Sequence, residues 1–223
     1  MEQYAYLTGA LILGFVWSIM FLARKDLHRE MILISLLSVP FAFSEFLYVP
    51  EYWNPPVMFN LINKIGFSIE DVLFCFFAGG IASVVYEFFW QKKLRKKIFS
   101  HKDHILPYLL AIIIFIGLEF IFPAKTIYNM IVALLAAAIF MGYKRKDLIG
   151  QIIFGGIFFS SLYFVLFIIF DNLFPEFITK YYSHDNLLNI YLFSIPLEEI
   201  LIAFSTGTVW SVFYEYIKSY KTR

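Results

Sequence analysis

Two pairs of adjacent carboxylic acids stand inside otherwise apolar stretches of this chain. Glu70-Asp71 lies in Ser68-Ile69-Glu70-Asp71, within residues 65–90, and Glu198-Glu199 lies in Pro196-Leu197-Glu198-Glu199, within residues 191–217. An ionised carboxylate in the middle of a bilayer costs roughly 2.5–3.5 kcal/mol even on the lenient insertion scale, so such residues mark candidate functional sites. Desolvation and a neighbouring carboxyl both favour the protonated form, so two carboxyls in a dry pocket can divide the roles of acid and base. Adjacent helical residues point about 100° apart, so one member of each pair is equally suited to capping or bonding a neighbouring element. Glu87 follows Glu70 by 17 residues and Glu215 follows Glu198 by the same 17. At 1.5 Å per residue that is roughly 25 Å along a helix. Glu87 and Glu215 are therefore expected at the opposite rim, paired with nearby lysines. Glu45 and Glu119 are lone carboxyls in apolar stretches, each a functional group or a contact between helices.

The elements that must position these acids follow from composition. Of 223 residues, 61% are hydrophobic, 21% aromatic and only 16% charged, which leaves too little polar surface for a water-soluble domain. Apolar stretches at 4–23, 31–49, 65–90, 105–122, 126–143, 148–170 and 191–217 predict seven transmembrane helices. The alternation that spanning strands need is absent. Segments 24–30, 91–104, 144–147 and 218–223 hold 15 of the 18 Lys and Arg residues. Seven helices put those four segments on one face, which the positive-inside rule makes cytoplasmic, with the N-terminus outside and the C-terminus inside. The first stretch lacks a basic leader and a small-residue cleavage site and is expected to remain as a helix. On this topology Glu70 and Glu198 fall in the outer half of the membrane.

The halves echo each other. Arg24-Lys25-Asp26-Leu27 returns as Arg145-Lys146-Asp147-Leu148, and Pro50-Glu51-Tyr52 is echoed by Pro175-Glu176-Phe177. The expected organisation is an all-α membrane protein of two parallel three-helix repeats, 1–98 and 126–223, joined by a linker helix in 99–125. Sites in repeat proteins of this kind tend to lie where the repeats meet. Gly79-Gly80 and Gly155-Gly156 are expected to allow close helix packing. Trp53, Tyr52, Trp90 and Tyr181 fit an interfacial aromatic belt. The single Cys75 has no intrachain disulfide partner, and His28, His101, His104 and His184 lack ligand spacing, so neither a metal nor a cofactor is expected. No phosphate-binding glycine motif is present, and a net charge of +1 gives no basis for nucleic-acid binding.

The duplicated acidic motif, with Glu51-Tyr52-Trp53-Asn54-Pro55 ahead of its first copy, resembles the small membrane-integral lycopene cyclases. That family occurs as two three-helix subunits or as a fused chain, and nearly the whole sequence resembles the fused form. Ser68 and Asp71 depart from the P-x-E-E pattern kept by Pro196, Glu198 and Glu199, which makes the second copy the leading acid/base pair and Glu70 with Asp71 its counterpart.

The resemblance implies a non-redox intramolecular lyase acting on the end group of a long polyene dissolved in the bilayer. A proton is added to the terminal alkene, the next double bond attacks the cation, and loss of a proton leaves a ring. Pro196, near the start of the expected helix, would widen a cleft beside Glu198, and aromatic faces would stabilise the cation by roughly 0.5–2 kcal/mol each. Phe193, Phe204, Phe74 and Trp210 are the substrate-binding candidates, with Phe76, Phe77 and Phe213 nearby in sequence. Alternative readings are a small-solute transporter or channel built from parallel three-helix repeats, and a non-catalytic cyclase-like membrane protein. A retinal-binding opsin shares the helix count, but its Schiff-base lysine has no counterpart in residues 191–217.

Overall fold

The computed structural model describes residues 2–91, 94–96, 104–123 and 125–222. Helices α1 (Ala5–Ala23), α2 (His28–Ser38), α3 (Glu45–Tyr48), α4 (Ile62–Ile65) and α5 (Ile69–Trp90) form the first half. The second half contains α6 (Leu106–Ile121), α7 (Thr126–Lys144), α8 (Ile149–Leu173), α9 (Phe177–Tyr181), α10 (Leu197–Trp210) and α11 (Phe213–Lys218). Four short strands accompany them: β1 (Leu94–Lys96), β2 (Tyr191–Leu192), β3 (Ile195–Pro196) and β4 (Tyr220–Thr222). The fold is all-α, and among the described residues six helical stretches are long and apolar enough to cross a membrane. They are Glu2–Ala23, Lys25–Tyr48, Ile69–Trp90, Thr126–Lys144, Lys146–Leu173 and Leu197–Lys218; α6 is apolar but shorter, at 16 residues. Most of the basic segment 91–104, His101 and the expected 98/99 boundary lie outside the described residues.

Several helix ends differ from the sequence expectation. The second span starts at His28 and carries Glu30 into the bundle, where it is buried. That span tightens to a 3-10 helix over Val39–Ser44 before α3, because Pro40 has no N–H to give the α-helical ladder. The third span begins at Ile69 rather than Ile65, because Gly66 adopts φ 85° and ends α4. Ser68 then caps α5 in a reciprocal box: Ser68 N–H donates to Asp71 Oδ2 at 2.6 Å, and Asp71 N–H donates to Ser68 Oγ at 3.2 Å. The last span begins at Leu197 rather than Tyr191, since β2 and β3 form a hairpin ahead of it. Pro196 is thus the residue before α10, where its missing N–H costs nothing, and not a proline inside the helix.

Glycines set the closest helix contacts, as the paired glycines predicted. A Cβ on Gly79 would collide with Ser38 Oγ, one on Gly80 with Ser35 Oγ, and one on Gly155 with Ser211 Oγ. These contacts lock α5 onto α2 and α10 onto α8. Large side chains such as Phe15, Leu22, Phe120 and Ile139 face outward, as lipid contact requires.

Both ends of the bundle tie the halves together. At the basic end, Arg24 bonds Asp26 and donates to the Glu87 carbonyl at 2.6 Å, while Arg145 bonds Asp147 and donates to the Glu215 carbonyl at 3.5 Å. Gln91 and Ser219, 128 residues apart, both take left-handed φ at the ends of α5 and α11, and β1 pairs antiparallel with β4 just beyond. At the doublet end, Asn54 N–H donates to the Tyr181 carbonyl at 2.8 Å and Ser183 N–H donates to the Tyr52 carbonyl at 2.9 Å. That pairing brings the loop after α3 against the loop after α9.

Candidate active site

Each acidic doublet sits in the first turn of its helix and splits between two tasks. Glu70 is fully buried and accepts from the Met58 N–H at 2.8 Å. Glu198, equally buried, accepts from the Leu188 N–H at 2.7 Å and from the Tyr128 hydroxyl at 2.5 Å. Both therefore bind the loop folded over their own helix. The second members point elsewhere: Asp71 and Glu199 line one cavity of about 250 Å³. The 100° step between neighbouring helical residues makes this division unavoidable.

The cavity lies between the halves. Its walls come from α1 (Tyr6, Ala10, Leu13), the 3-10 turn and α3 (Phe41, Glu45, Tyr48), α5 (Asp71, Phe74, Cys75), α8 (Tyr163, Phe167, Phe170) and α10 (Glu199, Ile202). Tyr52, Trp53 and Tyr182 reach in from the paired loops. The lining is thus aromatic and aliphatic, with three carboxyls from three spans.

Those carboxyls differ in their donors. Glu199 Oε1 accepts from Tyr52 at 2.9 Å and Tyr182 at 3.0 Å, and Oε2 accepts from Tyr163 at 2.8 Å. Asp71 Oδ1 accepts from Tyr6 at 2.6 Å while Oδ2 is held by the Ser68 N–H. Glu45 Oε1 accepts from the Trp53 indole N–H at 2.6 Å. Burial, and then the Glu199 carboxylate, push the phenols of Tyr52 and Tyr182 well above their ordinary range, so both stay protonated donors at neutral pH. Hydrogen bonds to a charged acceptor contribute about 1.5–3 kcal/mol each, enough to hold Glu199 in one orientation.

Of the sequence-named aromatics, Phe74 lines the cavity, with its ring 6.4 Å from Tyr6 and 6.3 Å from Tyr163. The others lie outside its lining. Phe193 sits at the β2–β3 turn, 81% exposed, because the expected helix is a hairpin there. Phe204 packs on Gly156, and Trp210 meets Phe41 edge to face and Phe213 at a tilt. Pro196 is buried in β3 opposite Tyr191.

Tyr52 and Trp53, expected in an interfacial belt, are instead ligands of Glu199 and Glu45, because the loop pairing folds them inward. Tyr6, Tyr163 and Tyr182 carried no signal of their own in the sequence. Pro40, five residues before Glu45, was a visible mark of a broken span. Glu119 bonds Asn129 at 2.9 Å and Thr126 at 3.3 Å, fastening α6 to α7.

Glu87 and Glu215 lie far from the cavity, as the 17-residue spacing requires, and among the described residues neither pairs with a lysine. Both are fully buried, lie against one another, and share their surroundings with Glu30. Gln151 donates to Glu87 at 2.7 Å and also to the Ser211 carbonyl.

Residues 125–217 match the family described as lycopene cyclase. No curated protein and no solved structure matches the chain. The matched segment contains α7 to α10 with Glu198, Glu199, Tyr163 and Tyr182, so it supplies one wall of the cavity and the most heavily hydrogen-bonded of its carboxyls. This is a multi-pass membrane protein whose residues 125–217 are similar to the lycopene cyclase family.

Proposed function

We propose that the chain cyclises the end group of lycopene or a related long polyene by non-redox acid/base chemistry, as an intramolecular lyase in the cell membrane. The observation that carries this reading is the cavity that Asp71 and Glu199 line together among aromatic walls. A cavity of about 150 Å³ lined by apolar side chains admits benzene, so one of about 250 Å³ accommodates a single ring-forming end group but not a whole carotenoid. The polyene tail then extends into the bilayer. Within the doublets, Asp71 and Glu199 face the substrate while Glu70 and Glu198 position the loops that close over it.

The matching contacts of Arg24 and Arg145 support an architecture of two parallel three-helix repeats, with α6 as a linker span. In that arrangement the basic segments are cytoplasmic and the N-terminus is outside. The cavity draws on both halves, so they act as one enzyme with one reaction chamber.

Expression in cells that accumulate lycopene tests the reading. Wild type is expected to yield cyclic carotene, and Glu199→Gln to leave lycopene unconverted at equal membrane abundance. Conversion retained by Glu199→Gln would remove Glu199 from the chemistry. No conversion by a stably inserted wild type would remove the cyclase reading.

A further inference from the structure

Three carboxyls face the cavity, and protonating an alkene requires that one of them hold a proton when the substrate arrives. Hydrogen bonds donated to a carboxylate favour its ionised form. Glu199 receives three phenolic hydrogens spread over both oxygens, and Asp71 receives one donor on each oxygen. Glu45 receives a single indole N–H on Oε1, and among the described residues Oε2 accepts nothing. Glu45 is also 9% exposed, and Asp71 and Glu199 are its carboxylate neighbours. A negative charge on Glu45 would face Asp71 and Glu199 with a single donor to offset it. Of the three carboxyls, Glu45 has the fewest donors, and Oε2 is the oxygen with room to carry a proton.

The backbone explains why Glu45 can reach in. Pro40 turns the second span into a 3-10 segment, and Glu45 opens α3 immediately after it. The Trp53 indole, held by its antiparallel bridge to Tyr182, fixes the carboxyl from the other side.

We propose that Glu45 is the catalytic acid of this site, a role that rests on the cyclase reading above. Its Oε2–H bond breaks as the proton passes to the terminal alkene, and a tertiary carbocation forms. The π electrons of the next double bond close the ring and move the cation to a neighbouring carbon. A ring proton then leaves for the Glu199 carboxylate, and transfer of one proton back to Glu45 restores the site with no net change in electrons or protons. The three phenols keep Glu199 anionic while the cation lasts.

The test compares wild type, Glu45→Gln, Glu45→Asp and Glu199→Gln in lycopene-accumulating cells and as purified protein. The binding probe is an acyclic polyene in which a dimethylamino group replaces the terminal isopropylidene, a stable mimic of the first cation. Glu45→Gln is expected to lose at least about a hundredfold of the cyclisation rate, within the range of general-acid contributions. Glu45→Asp should recover part of it. Glu45→Gln should still show the wild-type thermal shift with the amine, and Glu199→Gln should lose that shift. Activity within tenfold of wild type in Glu45→Gln would overturn the assignment alone. Loss of both activity and amine binding in Glu45→Gln would also overturn it, since Glu45 would then only shape the cavity. An inactive wild type would instead remove the cyclase reading on which the assignment stands.

Discussion

Glu199 on α10 accepts a hydrogen bond at 2.9 Å from the phenol of Tyr52, which lies 147 residues earlier in the chain. Tyr182 reaches the same Oε1 at 3.0 Å, and the two loops that carry these tyrosines pair through Ser183 N–H and the Tyr52 carbonyl. The carboxyl from the family-matched half is thus oriented by a tyrosine from the other half. Covalent linkage of the halves keeps that partner always present.

Removing one of these phenols should slow cyclisation without unfolding the protein. A hydrogen bond to a charged group contributes about 1.5–3 kcal/mol, so Tyr52→Phe is expected to lower the rate at least about tenfold. Tyr52→Phe combined with Tyr182→Phe should depart from additivity, because both phenols serve one oxygen. Pigment conversion rates in the two single variants and the double variant measure the coupling; strict additivity would mean that the two phenols act independently.

The lone cysteine reports on the cavity. Cys75 lines it and is the chain's single thiol. A small apolar thiol reagent should label Cys75, abolish ring formation, and label more slowly when lycopene is present. Mass spectrometry of the labelled protein gives the occupancy. Labelling that is unaffected by lycopene would place the polyene elsewhere.

Helix packing should be sensitive at Gly79. Its Cβ site is filled by Ser38, so Gly79→Ala is expected to cost about 1–3 kcal/mol through overpacking. Ser38→Gly should return most of that loss by clearing the space. Thermal denaturation in detergent tests the pair, and a neutral Gly79→Ala would show that α2 and α5 can separate without cost.

At the basic end, Gln151 is the donor that joins Glu87 to the Ser211 carbonyl. Gln151→Leu leaves both acceptors buried without it, at about 1–3 kcal/mol for each unsatisfied group. The expected outcome is a lower melting temperature with cavity chemistry retained in the folded fraction. Loss of cyclisation at unchanged stability would link the two ends functionally.

Much was legible in the residues themselves. Apolar length fixed the spans, because backbone groups in lipid have to bond within a helix, and six of the seven expected stretches are long apolar helices. The glycine pairs announced close packing because only a missing Cβ permits it. The doublets of Glu70-Asp71 and Glu198-Glu199 stood out because charge inside an apolar run is costly, but the helix starts at Ile69 and Leu197 that put them in a first turn did not. What the sequence left open was direction. Which acid of each doublet enters the cavity depends on helix phase relative to neighbours, and that phase is set by contacts such as Gly79 on Ser38. Tyr6, Tyr163 and Tyr182 are three among 15 tyrosines, and nothing local distinguishes them, while Tyr52 stood out in its motif but not as a partner of Glu199. Their donors converge on Asp71 and Glu199 only after residues up to 147 positions apart are folded together, because a hydrogen bond acts over about 3 Å in space and is blind to distance along the chain.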